Sequence, residues 1–168
     1  DIKLEIINYE KPKKSIANFS VELEKKKDNI KINSLNFKEG INLIKVQGLE
    51  FQKSKFLSFD NIEVSTRNNN FSVKKDKKIS IKGEKFDATN LAKFIRNQTN
   101  KNNFNDLNSN IEIDFNNVKA PMSEKLKNFK LLGKIQKGQF VKISSKGDFG
   151  GNNFLDISMK KKKDTDKK

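Results

Sequence analysis

The chain has 168 residues, 33% of them apolar, with a formal net charge of +15 at pH 7 and neither cysteine nor histidine. That suits one domain with a modest core, and it removes disulfides and every Ser-His or Cys-His nucleophile. No run of about 18 apolar residues is long enough to span a membrane, and no secretory apolar stretch follows Asp1, where a strand pattern opens without Met. We therefore expect a piece of a longer chain with any anchor outside it.

Polar and apolar residues alternate along most of the chain, which predicts half-buried β-strands. Ile2, Leu4 and Ile6 start the first, and the parity change to Ile7 and Tyr9 predicts a bulge between Ile6 and Ile7. Pro12 ends it. Residues 16–25 form a second strand with Phe19, Val21 and Leu23 on one face, and Asp28-Asn29 turns it into a third through Ile30, Ile32, Leu35 and Phe37. After Gly40 a fourth runs from Ile41 to Phe51, with Gly48 as a bulge. Leu57, Phe59, Ile62 and Val64 mark a fifth. Asn68-Asn69-Asn70 then turns the chain into a strand holding Phe71 and Val73 and continuing to Ile79 and Ile81.

One short helix is predicted near residues 87–97. Asp87 suits its N-cap, Phe86 and Leu91 have the spacing of a hydrophobic staple, and Leu91, Phe94 and Ile95 share a face. These residues could plug one end of a sheet. Residues 97–110 read as an Asn-rich loop. Strands follow at 111–118, at Phe129 to Ile135, at Val141 to Phe149 and at Leu155 to Met159, with Lys137-Gly138 and Gly150-Gly151-Asn152-Asn153 as hairpin connections. Met122, Leu126 and Phe129 could alternatively form a helical stripe. Residues 160–168 form a Lys-rich solvated tail or loop.

About ten amphipathic strands give a wide sheet with one apolar face, and one short helix cannot cover it. The sheet can close as a sandwich or barrel, pack against more of a longer chain, or curl into a trough lined for a ligand other than protein. The fold expected is mostly β, a twisted antiparallel sheet. The charge does not decide the matter. Of the basic residues only Arg67 and Arg96 are arginines, whereas 34 are lysines accompanied by 23 asparagines. Lys and Asn share AT-rich codons, and arginine, whose planar fork suits phosphate and base edges, is nearly absent.

The stretch ISIKGEKFDATNLAKFIRN at 79–97 is a strand ending in Gly, then an apolar-Asp dipeptide opening a short Leu-rich helix. It resembles the centre of the AsmA-like family, the Gram-negative envelope group that includes AsmA, TamB and YhdP. INSLNFKEGINLIKVQGLEF before it and SSKGDFGGNNFLDISMK after it resemble the flanking strands, so the likeness covers about residues 28–163. The resemblance implies an open hydrophobic β-groove (β-taco-like), of which residues 1–163 are a single segment. It also implies a periplasmic location with an inner-membrane anchor outside this chain, and phospholipid transport toward the outer membrane without enzymatic activity. Acyl chains and the rest of the longer chain are then the partners. Candidates to face lipid are Phe71, Val73, Ile79, Ile81, Ile111, Ile113, Phe115, Val141 and Ile143. The heavy Lys and Asn load departs from the family pattern and fits a low-GC genome.

Two further readings stand beside this one, a basic β-module binding nucleic acid or anionic polymer, and a structural β-sandwich without ligand. Phenylalanines among lysines, such as Phe37, Phe51 and Phe59, could stack bases, but they fall in register with Val, Leu and Ile on the inner face. No catalytic, cofactor or metal site is predicted. Glu22 with Glu24 and Glu112 with Asp114 share strand faces that are solvated, which argues against an acid/base pair. Gly147, Gly150 and Gly151 read as a hairpin turn, and Asp156, Asp164 and Asp166 lack calcium-loop spacing.

Overall fold

The computed structural model describes residues 2–53, 55–91, 93, 107–121 and 125–161. Strands dominate them, as the alternation requires. Ten strands form an ordered path in one mixed sheet, β13-β12-β11-β10-β9-β8-β7-β5-β4-β3, and an eleventh, β6, pairs with β5 beside β7. Their bounds are β3 Asn18–Lys26, β4 Asn29–Glu39, β5 Asn42–Gln52, β6 Lys55–Ser58, β7 Asn61–Ser65, β8 Asn70–Lys75, β9 Ile79–Asp87, β10 Ser109–Lys119, β11 Lys125–Gln136, β12 Gln139–Gly150 and β13 Asn153–Lys160. The sheet is open and uncurled, with β3 and β13 as its two edges.

Neighbours pair antiparallel except β9 and β10, which run parallel with Ile79 beside Ile111 and Ile81 beside Ile113. A parallel pair needs a crossover rather than a tight turn. Residues 88–108 supply it, and alternation alone gave no sign of the change of direction. The predicted helix falls here. Phe86 and Asp87 prove to be the last residues of β9, turn residues Thr89 and Asn90 follow, and helical backbone is described at Leu91 and Lys93. Phe94, Ile95 and most of the Asn-rich loop lie outside the described residues, as do Met122 and the tail beyond Lys161. Leu126 and Phe129 lie on β11, so no helical stripe joins them.

Other differences share one cause: a parity break can be a bulge or a reversal. At Ile6-Ile7 it is a reversal. A 3-10 turn at Glu5–Ile7 and left-handed Asn8 (φ 48°) separate β1, Lys3–Leu4, from β2, Tyr9–Glu10, which pair with each other. The strand expected to continue from Phe71 to Ile81 is likewise two, β8 and β9, turned at Asp76 to Lys78. Gly48 is the expected irregularity. Its φ is +64°, and a Cβ there would run into the Asp60 side chain, so the kink between β6 and β7 needs glycine opposite it.

The first segment, residues 2–17, lies across part of the sheet as a strap. Ile7 and Tyr9 are buried with Phe37, Ile44 and Val64, and Leu4 and Ala17 pack against them. Tyr9 donates to Glu39 Oε2 at 3.2 Å, and Asn42 donates to the same oxygen at 2.7 Å. Burial, then the hydrogen bond and charge of Glu39, push the Tyr9 hydroxyl up to about 12. The fold favours the neutral phenol, so its contribution is full below about pH 10 and is lost as pH rises through about 12. Tyr9 is the sole tyrosine. Tyrosinate absorbance should therefore rise with a single midpoint near 12 in folded protein and near 10 in denaturant; a folded midpoint of 10 would show the strap undocked.

Candidate functional site

Because side chains alternate across a strand, ladder register decides which apolar residues meet. Register here builds rows that cross the sheet. The first passes through Phe19, Phe37, Ile44, Val64, Phe71, Gly83, Phe115 and Phe129, then Gly147 and Leu155. Beside it runs a second, through Val21, Leu35, Val46, Ile62, Val73, Ile81, Ile113, Leu131, Ser145 and Ile157. A third is apolar at its two ends, Leu23, Ile32 and Leu49 on one side, and Ile79, Ile111, Gly133, Ile143 and Met159 on the other. At about 4.8 Å per strand each full row is about 43 Å long.

Eight of the nine sequence candidates thus share one face: Phe71 and Val73 on β8, Ile79 and Ile81 on β9, Ile111, Ile113 and Phe115 on β10, and Ile143 on β12. Val141 is the extra residue of a bulge in β12, between the pairs Ile135 with Phe140 and Lys134 with Lys142. Two glycines missed as site residues shape this face. Gly83 sits between Phe71 and Phe115 in the first row, and the space it leaves lets their rings approach to 5.7 Å, with Phe86 at 5.6 and 5.4 Å from them. Such edge-to-face and stacked contacts add to area burial. Gly147 lies within β12 rather than in the hairpin turn, and Leu126 packs over it with its Cδ1 2.6 Å from where a Cβ would stand.

Cover over the face is partial. The strap covers Phe37, Ile44 and Val64, while Ala88 and Leu91 lie against Phe115, Val118 and Leu126, and Leu107 against Ile79, Ile111 and Ile135. Phe115 is 2% exposed, yet Val73, Ile81, Ile113 and Leu131 are only half-buried. Toward the edges the lining opens to solvent, with Phe19 63% and Ile157 49% exposed.

A buried polar knot ties these covers down. Asn69, fully buried, donates from Nδ2 to Ile7 O at 2.6 Å and accepts at Oδ1 from the Asp87 N–H at 2.9 Å. The Asp87 carboxylate accepts from Thr89 N–H at 3.1 Å, Thr89 Oγ1 at 2.6 Å and Asn8 Nδ2 at 3.2 Å, with Lys119 Nζ at 3.7 Å. Burial pushes its pKa up, but the Thr89 hydroxyl, the Thr89 N–H, Asn8 and Lys119 together hold it below the ordinary aspartate value. The sequence shows Asn69 only as part of a turn, because its partners are far away in the chain.

The opposite face is polar, and several of its carboxylates are paired. Glu112 is held below its usual range by bonds from Lys78 and from Lys82 at 3.2 Å, while Lys130 stands 3.7 Å from Asp114. Asn33 donates to Glu24 at 3.0 Å. Among the described residues no three acidic, His or Cys side chains group as metal ligands. The chain matches no family model, no curated protein and no solved structure.

Proposed function

We propose that the apolar face is one wall of a hydrophobic groove that takes phospholipid acyl chains. On this reading the chain is a non-enzymatic segment of an AsmA-like envelope protein, carrying lipid between the inner and outer membranes from the periplasm and attached through a segment outside this chain. One observation carries the reading: two rows ten strands wide, the second only half-buried at its middle and both open to solvent at their ends. Contiguous apolar surface of such extent marks an interaction site. An acyl chain spans half of the ~30 Å hydrocarbon core of a bilayer, so it covers about three strands of a row. It asks for apolar contact without directional bonds, and the rows offer that, with Ser145 as the one hydroxyl among them. The family resemblance at 79–97 supports the same assignment.

Ile113 lies at the middle of the second row, half-buried between two core clusters. In Ile113→Arg the guanidinium can extend along the open face to water, so the fold should survive while capture of a photo-crosslinkable phospholipid falls at least tenfold. Global unfolding of the variant, crosslinking equal to the unaltered chain, or no capture by the unaltered chain would each overturn the reading. Circular dichroism separates the first outcome from the others.

A further inference from the structure

The two edges of the sheet match each other. Counting directions through the ladders from β3, the alternation of antiparallel pairs and the single parallel pair β9/β10 bring β13 out in the direction of β3. The three apolar rows start at Phe19, Val21 and Leu23 on β3 and end at Leu155, Ile157 and Met159 on β13. A second copy displaced along the sheet therefore meets the first with strands parallel, faces alike and all three rows in register. Glu24 then stands beside Lys160 on the polar face, while the same offset sets Lys25 beside Lys161.

Both edges are also open on their outer side among the described residues. Every residue of β3 is exposed, β13 is exposed except at Leu155, and each edge strand pairs with one neighbour only among the described residues. Neither strand carries a proline, and no described element covers either edge; the register shifts in their ladders, at Glu22/Leu23 and Asp148/Gly150, leave the outer side of each strand open. We propose that copies of this chain add head to tail, β13 of one to β3 of the next, and so extend the apolar rows beyond a single sheet. The contact is heterologous, using two different edges, so each copy added leaves a free edge for the next and assembly passes beyond a dimer. With +15 on each copy, repulsion opposes it, and screening by salt should strengthen it. This inference does not rest on lipid binding, and its test contains no lipid.

The absence of cysteine makes that test clean. Parallel neighbours about 4.8 Å apart fall within the Cα separation a disulfide accepts. Mixing Val21→Cys with Ile157→Cys under mild oxidation should give a disulfide-linked heterodimer, faster than Val21→Cys with Leu155→Cys, which is one row off. Val21→Cys alone should form little dimer. Sedimentation of the unaltered chain in 0.5 M salt, where the screening length is well under 10 Å, should show mass rising with concentration without a plateau at dimer. A monomer at all concentrations up to millimolar, a predominant Val21→Cys homodimer, or equal rates in and out of register would each overturn the proposal.

Discussion

Replacing Gly83 with valine should lower the midpoint of thermal unfolding by roughly 10 °C, the consequence of a loss of about 3 kcal/mol in a domain of this size. A Cβ at this position would stand 2.6 Å from Phe71 Cα and closer still to the Asn70 carbonyl, so backbone rather than a flexible side chain obstructs it. The neighbouring ladder shifts register between Asn70 and Phe71, which brings β8 tightly over the glycine. Relief requires β8 to move away from β9. That movement separates Phe71 from Phe86 and Phe115 and opens the centre of the first row. Gly83→Ala should cost less but still destabilise, whereas Gly40→Ala, with open space around its Cβ, should show only the strain of its positive φ. Thermal melts followed by circular dichroism rank the three. Gly83→Val melting within 2 °C of the unaltered chain would mean that β8 has slack the ladder does not show.

The apolar rows were legible in the sequence because period-two alternation states which residues share a face. Phe71, Val73, Ile111 and Ile113 could be grouped without any knowledge of pairing. What alternation cannot state is order across the sheet. The parallel step from β9 to β10 depends on where a 21-residue crossover lands, and nothing local at Ser109 encodes it. Parity breaks were ambiguous for a related reason. Gly48 signalled a bulge by its residue type, while Ile6-Ile7 looked alike in pattern and proved a reversal, fixed by left-handed Asn8 and by burial of Ile7 on β4, β5 and β7. Asn69 was the least legible of all. In an Asn-rich chain one asparagine in a turn carries no signal, and its importance comes from bonds 62 residues back and 18 residues on.

Asn69→Ala should destabilise the protein by about 3 kcal/mol and release the strap. The side chain is 0% exposed and satisfies two buried backbone groups, the Ile7 carbonyl and the Asp87 N–H. A buried polar group left without its partner costs about 1–3 kcal/mol, and here two are stranded together. Asn69→Asp separates the two bonds. It can still accept from Asp87 N–H but cannot donate to Ile7 O, and it sets a second carboxylate near Asp87, itself 1% exposed; like charges there favour protonation of one. Its stability should therefore improve as pH falls toward the carboxylate range, relative to the unaltered chain. In the latter the depressed Asp87 pKa contributes stability above about pH 4 that is lost as pH falls through the folded value. The strap supplies a second readout independent of global unfolding. Once Ile7 is no longer anchored, Tyr9 loses its cover and its bond to Glu39, so the tyrosinate midpoint should move from about 12 toward 10 while the far-ultraviolet spectrum keeps its strand signature. Chemical denaturation and alkaline titration of the same sample test both halves. A change under 0.5 kcal/mol with the midpoint unmoved would show that water replaces the amide, and that hydrophobic contact of Ile7 and Tyr9 with Phe37 holds the strap on its own.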